Sequence, residues 1–103
     1  MIMFSNIKLL TSCSFTKYER DDLLLVIFPK NSFISAVFTK STIKAAPVKM
    51  AIDNLTKVKK PIIEALLINS GNANAFTGEM GINNIKEITQ YLSQKFKIKL
   101  ENI

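Results

Sequence analysis

The sequence predicts an α+β fold, because short apolar runs typical of strands alternate with segments that have the 3.6-residue period of helices. The predicted order is a strand, a β-hairpin, a short helix, a central strand, a long loop and a second helix. The chain has 103 residues, of which 48% are hydrophobic, and this length fits one domain. There is no internal repeat or linker, so we expect residues 1–103 to form a single domain.

The first strands are predicted from apolar and β-branched runs. Residues 6–15 are weakly strand-like, whereas residues 23–28 form an uninterrupted apolar run that suits a strand buried on both faces. Residues 29–32 contain proline, asparagine and serine, which favour turns. Residues 33–39 then resume a β-branched and aromatic pattern. We therefore predict an antiparallel hairpin over residues 23–39 with a four-residue loop.

Both helices are predicted from apolar positions spaced three or four residues apart. The first begins at Pro47, where the missing backbone N–H costs no hydrogen bond. Its apolar face consists of Val48, Ala51, Ile52 and Leu55. The second begins at Gly81 and continues for about four turns to Phe96.

Two further segments have strand-like patterns. Residues 62–69 are strongly apolar, interrupted only by Glu64, and predict the central strand of the sheet. The tail, residues 97–103, alternates apolar and polar side chains and has the pattern of the start of another strand.

The composition excludes several kinds of chemistry. The chain has no histidine, which excludes histidine-dependent acid–base and triad catalysis by its own residues. Cys13 is the single cysteine, so an internal disulfide is excluded and a reducing compartment is favoured. We expect no metal and no cofactor. No apolar run approaches the roughly 20 residues that span a bilayer, so we expect no membrane partner and a cytoplasmic location.

Most of the positive charge lies in one segment. The net charge is +6, and between Thr39 and Lys60 a single acid, Asp53, opposes six lysines: Lys40, Lys44, Lys49, Lys57, Lys59 and Lys60. This segment either attracts an anionic partner or is a solvated lysine-rich surface. It contains no aromatic residue for stacking, and Arg20 is the only arginine of the chain. We therefore expect no nucleic-acid partner.

All three glycines fall in the loop between the last predicted strand and the last helix, within residues 69–81. Simple connections take about two to six residues, so this loop is unusually long. It either holds itself together through its asparagines or lines a ligand site. The candidate ligand-contacting residues are Asn69, Ser70, Gly71, Asn72 and Asn74. We expect a positive φ at Gly71, and hydrogen bonds from Asn72 or Asn74 to backbone groups.

The loop also carries a recognisable motif. Residues 69–75, NSGNANA, followed by TGE at 77–79, resemble the motif of the ornithine acetyltransferase/glutamate N-acetyltransferase family of arginine biosynthesis. A second block, AVFT at 36–39 followed by KAAPV at 44–48, is similar to another segment of that family. Phe76 departs from the pattern, because the family often has cysteine there.

The resemblance implies an origin and an activity. The chain is expected to be the N-terminal portion of the family's α/β sandwich, an incomplete domain from the first (alpha) chain. Family members cut themselves into two chains, and the new N-terminal threonine accepts acetyl from N-acetylornithine and passes it to glutamate. Neither that threonine nor the family's Thr-Gly oxyanion segment has a match in residues 1–103. We therefore expect no catalytic residue here and no activity of the chain alone.

The expected partners follow from the same resemblance. They are the rest of the alpha chain, the beta chain and, in the complete enzyme, N-acetylornithine and glutamate, and we expect the complete enzyme to be an oligomer. The alternative is a free-standing interaction module that uses unpaired strand edges to bind a partner. A downstream reading frame encoding STGVIG would favour the enzyme fragment over the module.

Overall fold

The computed structural model describes residues 6–15, 19–71 and 74–103. Its elements are β1 (Lys8–Ser12), β2 (Leu23–Phe33), α1 (Ala46–Thr56), β3 (Ile62–Asn69), α2 (Gly78–Phe96) and a short 3-10 helix (Leu100–Asn102). The three strands form one antiparallel sheet in the order β1-β2-β3. The α+β class is confirmed.

The middle of this sheet is β2. Leu25 pairs with Leu10 of β1 on one side and with Leu67 of β3 on the other. The strand predicted at residues 62–69 is confirmed with the same bounds, but it lies at an edge of the described sheet and not at its centre. The uninterrupted apolar run of residues 23–28 belongs to the central strand, which agrees with a strand that packs on both faces.

The predicted hairpin over residues 23–39 is wrong, because the chain does not reverse at residues 29–32. Ile27 pairs with Ala65 and Ser32 with Ile63, so residues 28–31 stand opposite Glu64 alone. The turn-forming residues therefore make a bulge inside β2.

Local geometry explains how β2 passes through this bulge. Asn31 has a φ of +64°, and the Ser32 hydroxyl donates to the carbonyl oxygen of Pro29 at 2.7 Å. β2 then continues to Phe33, and residues 34–39 form no strand. Val37, expected opposite Leu25, is 98% exposed.

The core lies between one face of the sheet and α2. Leu25 and Ala65 from the sheet pack with Leu92 of α2 and with Ile98 of the tail. Around this cluster pack the half-buried side chains of Ile27, Leu67, Phe96 and Ile103. We call this side of the sheet the inner face. The predicted amphipathic helix is confirmed, and it begins at Gly78, three residues before the predicted start at Gly81.

The tail does not start a strand, contrary to expectation. Lys97 ends α2 with a φ of +54°, and the backbone N–H of Ile98 donates to the Ser93 carbonyl oxygen at 3.1 Å. The chain then turns through the 3-10 helix, and the Asn102 side chain donates to the Glu64 carboxylate at 2.8 Å. These contacts direct the tail back to the core, where Ile98 is buried.

The predicted first helix is confirmed as α1, with Pro47 in its first turn. It contacts α2 at a close approach, where Gly81 is buried against Ala46. A Cβ added at Gly81 would overlap the Thr77 side chain and lie 3.3 Å from the Ala46 Cβ. A glycine is therefore required here by packing, not by a positive φ.

We expect Gly81→Ala to lower the free energy of unfolding by about 1 kcal/mol or more, because the added methyl group overlaps Thr77. Urea denaturation measures the change. Thr77→Gly/Gly81→Ala removes the whole Thr77 side chain, including the Cβ that lies 2.6 Å from the added methyl group, so the double variant should be more stable than the sum of the single changes predicts. Additive effects would contradict the proposed packing.

Candidate functional site

Asp22 joins the strands at one end of the sheet. Its carboxylate accepts hydrogen bonds from the backbone N–H and the hydroxyl of Ser14, at 2.6 and 2.5 Å. Its own backbone N–H donates to the Ser12 carbonyl oxygen at 3.1 Å, and its carbonyl oxygen accepts from the Ser70 N–H at 2.9 Å. Asp22 thus fixes the chain leaving β1 and positions the start of the loop after β3.

A shallow depression of about 170 Å³ lies at this same end of the sheet. Two of the predicted site residues, Asn69 and Ser70, line it together with Thr11, Asp21 and Asp22. The Thr11 hydroxyl donates to the Asp21 carboxylate at 2.7 Å. An amide, hydroxyls and carboxylates therefore meet here, an arrangement that can hydrogen-bond a polar ligand.

The other predicted site residues lie further along the loop. Gly71 has a φ of +79°, which confirms the expected left-handed conformation. Gly71 and Asn74 are not among the residues that line the depression. Asn72 lies outside the described residues. The structure therefore brings Asn69 and Ser70 together with Asp21 and Asp22, which directly precede β2, whereas Gly71 and Asn74 do not line the depression.

Polar groups of the loop bind one another, as its asparagine content predicts. The Asn74 side-chain amide donates to the Asn69 side-chain oxygen at 3.3 Å, and the Thr77 hydroxyl donates to the Asn74 carbonyl oxygen at 3.3 Å. The first of these bonds joins two side chains, so the expected bond from an asparagine side chain to the backbone stays a prediction. Asn69 is thus shared between the depression and the loop.

The second half of the loop has three residues with a left-handed backbone conformation. Asn74, Phe76 and Gly78 have φ values of +52°, +57° and +55°. A bulky residue in this region is a backbone outlier, and Phe76 is also 86% exposed. The position where this chain departs from the family motif is therefore an exposed aromatic side chain on a strained backbone.

The role of Asp22 was not found from the sequence. The pair Asp21-Asp22 directly before an apolar run marks only the boundary of a strand. The hydrogen bond to Ser70 joins residues that are distant along the chain, and the bonds to Ser14 cross the connection between β1 and β2, so no local pattern predicts them.

Two general properties concern the described residues alone. In ranges 6–15, 19–71 and 74–103, no group of three histidine, cysteine, aspartate or glutamate side chains is placed to hold a metal ion. No helix in that part of the chain is both long and apolar enough to cross a membrane.

Comparison with known proteins identifies the family. The model of the ArgJ family matches residues 9–103, so the chain belongs to the ArgJ family. It is similar to the arginine biosynthesis bifunctional protein ArgJ of Caldanaerobacter subterraneus subsp. tengcongensis, with 40% identity over 84% of this chain and 21% of that protein. The protein of the same name from Bartonella henselae is 32% identical over 96% of this chain and 24% of its own length.

A solved structure has the same fold. The crystal structure of the arginine biosynthesis bifunctional protein argJ from Bacillus halodurans matches with a TM-score of 0.77 and 26% identity. The match covers 93% of this chain and 49% of that chain. This chain therefore spans about a fifth to a quarter of the length of the curated relatives described above.

We expect Gly71→Val to lower the free energy of unfolding by about 1 kcal/mol or more, because valine is strained at a φ of +79°. No atom lies within 4 Å of a Cβ added at Gly71, so the loss of stability would reflect backbone strain and not steric overlap. Gly71→Asn is the matched control, since asparagine tolerates this conformation and should cost clearly less. Equal losses for the two variants in urea denaturation would contradict this explanation.

We expect Asp22→Ala to destabilise the chain by about 1–3 kcal/mol, because Ser14 loses the acceptor of two hydrogen bonds. Asp21→Ala is the control: it removes a carboxylate of the same size, with one described hydrogen bond to an exposed hydroxyl, and should cost about 0.5 kcal/mol or less. Thermal or urea unfolding compares them. A larger loss for the Asp21 variant would show that Asp22 does not have this role.

Proposed function

We propose that this chain is the N-terminal part of the first chain of a glutamate N-acetyltransferase/ornithine acetyltransferase and serves there as scaffold. Its membership of the ArgJ family supports this, as do relatives named for arginine biosynthesis. Because the chain spans only a fraction of those relatives, the reacting groups are assigned to the remainder of the protein. A cytoplasmic location is part of the proposal.

The observation that carries the proposal is an exposed apolar face of the sheet. Side chains alternate along a strand, so residues 9, 26, 66 and 68 lie opposite the inner face, and we call them the outer face. Leu9, Val26 and Leu66 are cross-strand neighbours in one row. Leu9 is 67%, Leu66 39% and Ile68 45% exposed, whereas Val26 between its neighbours is buried.

An apolar sheet face in water is unfavourable by roughly 25 cal/mol for each Å² left uncovered. On the inner face α2 and the tail cover β2 and β3, and only Leu10 at the β1 edge of that face is strongly exposed among its described large apolar residues, at 47%. A second layer supplied by the rest of an ArgJ protein would cover the outer face in the same way. The continuous apolar run at residues 23–28 of β2 fits a strand that packs between two layers.

We propose that the described residues supply no reaction centre for acetyl transfer. The Thr77-Gly78 pair resembles an oxyanion pair only in sequence, because the Thr77 hydroxyl donates to the Asn74 carbonyl oxygen and Gly78 begins α2. In this proposal the N-terminal threonine of the second chain is the nucleophile, and N-acetylornithine and glutamate bind to the complete, oligomeric enzyme. In this proposal Asn69, Ser70, Gly71 and Asn74 belong to the wall near that site, and Asn72, which lies outside the described residues, is assigned to it from the motif alone.

We expect the isolated chain to transfer no acetyl group from N-acetylornithine to glutamate, because oriented reacting groups and oxyanion donors supply most of the catalysis. Adding the separately expressed remainder of an ArgJ protein should restore measurable transfer. Transfer by the purified chain alone, abolished by Thr77→Ala, would contradict the proposal.

Substitutions on the outer face test whether this surface is the interface with the remainder of the protein. Leu66→Asp should prevent restoration of activity, because it places a charge within the proposed interface. Ile88→Asp is the matched control, since Ile88 is 46% exposed on α2 and away from the sheet's outer face. Circular dichroism establishes that both variants fold. Full restoration with the Leu66 variant would show that the outer face is not the interface.

A further inference from the structure

We propose that a groove beside the end of β2 binds an acidic polypeptide segment that carries an apolar side chain. The groove has a volume of about 300 Å³ and is lined by Phe33, Ile34, Lys59, Lys60 and Pro61. We call it the lysine groove. It is separate from the depression at Asp22, and acetyl transfer plays no part in its assignment.

The floor of the lysine groove is apolar and fixed by backbone bonding. Phe33 pairs with Ile62 at the end of the sheet, and the Ile34 N–H donates to the Pro61 carbonyl oxygen at 3.2 Å. These bonds fix the distance between the two backbone segments that line the groove, residues 33–34 and residues 59–61. The Phe33 side chain is nevertheless 69% exposed, so an apolar group of a ligand can bury area against it.

The rim of the lysine groove is cationic. Lys59 and Lys60 are exposed, and neither forms an ion pair with an acidic group of the described residues. They end the lysine-rich segment that holds six lysines and one acid between residues 39 and 60. This uncompensated charge favours an anionic partner and accelerates its association.

The combination of floor and rim selects the kind of partner. A small anion would use the two lysines alone, and exposed ion pairs are weak in water. A nucleic acid would need several stacking or bidentate groups, whereas this groove offers one aromatic ring and no arginine. A polypeptide with acidic side chains around one apolar residue uses both the cationic rim and the apolar floor.

The test uses fluorescence anisotropy with a labelled peptide of glutamates around a single central leucine. We expect saturable binding that weakens about tenfold or more in Lys59→Glu/Lys60→Glu, because two attractive charges become repulsive. Lys86→Glu/Lys99→Glu is the matched control: both residues are exposed and neither lines the groove, yet the net charge changes equally. This control should bind the peptide nearly as well as the original chain.

Two further arms test the apolar floor and the class of partner. Replacing the central leucine of the peptide by serine, or Phe33 by alanine, should each weaken binding about threefold or more. Phe33 is largely exposed, so its replacement should leave the fold intact. Equal weakening in both charge variants, no effect of the leucine, no binding at all, or tighter binding of a single-stranded oligonucleotide would each overturn the proposal.

Discussion

The structure depends on the burial of β2 from both of its faces. This strand hydrogen-bonds to β1 at one edge and to β3 at the other, so no further strand can pair with it. Its remaining contacts with the rest of the protein are therefore made through its two faces. Leu25 packs into the core with Leu92, whereas Val26 is buried on the opposite face between its cross-strand neighbours Leu9 and Leu66. The described residues complete only the first of these two layers.

The same strand connects the two candidate sites. At its beginning, Asp22 holds Ser14 and Ser70, and so it positions the loop that carries the family motif. At its other end, the bulge at residues 28–31 leads β2 to Phe33, which lines the lysine groove. A central strand that is fixed on both edges can therefore position polar residues at one end and an apolar groove at the other.

Elements that depend on local signals were predictable from the sequence. The strand at residues 62–69, both amphipathic helices and the positive φ of Gly71 follow from apolar periodicity and glycine chemistry. The hairpin was not predictable, because the same turn residues make either a reversal or a bulge, and only pairing with a distant strand decides between them. The conformation of the tail was not predictable for the same reason. It depends on a hydrogen bond from Asn102 to Glu64 of β3, which is distant in the sequence.

The candidate site was predictable only in part, for a related reason. Its motif residues are contiguous and therefore recognisable, whereas the contacts of Asp22 join the end of β1, the start of β2 and the distant loop after β3. The lysine groove combines a segment whose charge is evident in the sequence with Phe33, which the sequence places in a different element. Residues from different elements are brought together by the register of the strands, and that register depends on contacts between segments that are distant in the sequence.

The outer face of the sheet is the surface that we propose is covered by the rest of an ArgJ protein. Hydroxyl-radical footprinting of the chain, alone and assembled with that remainder, measures this directly. We expect Leu9, Leu66 and Ile68 to be oxidised in the isolated chain and protected in the assembly, while Leu25 and Leu92 are protected in both. Unchanged oxidation of Leu66 and Ile68 in an assembly that transfers acetyl groups would contradict the proposal.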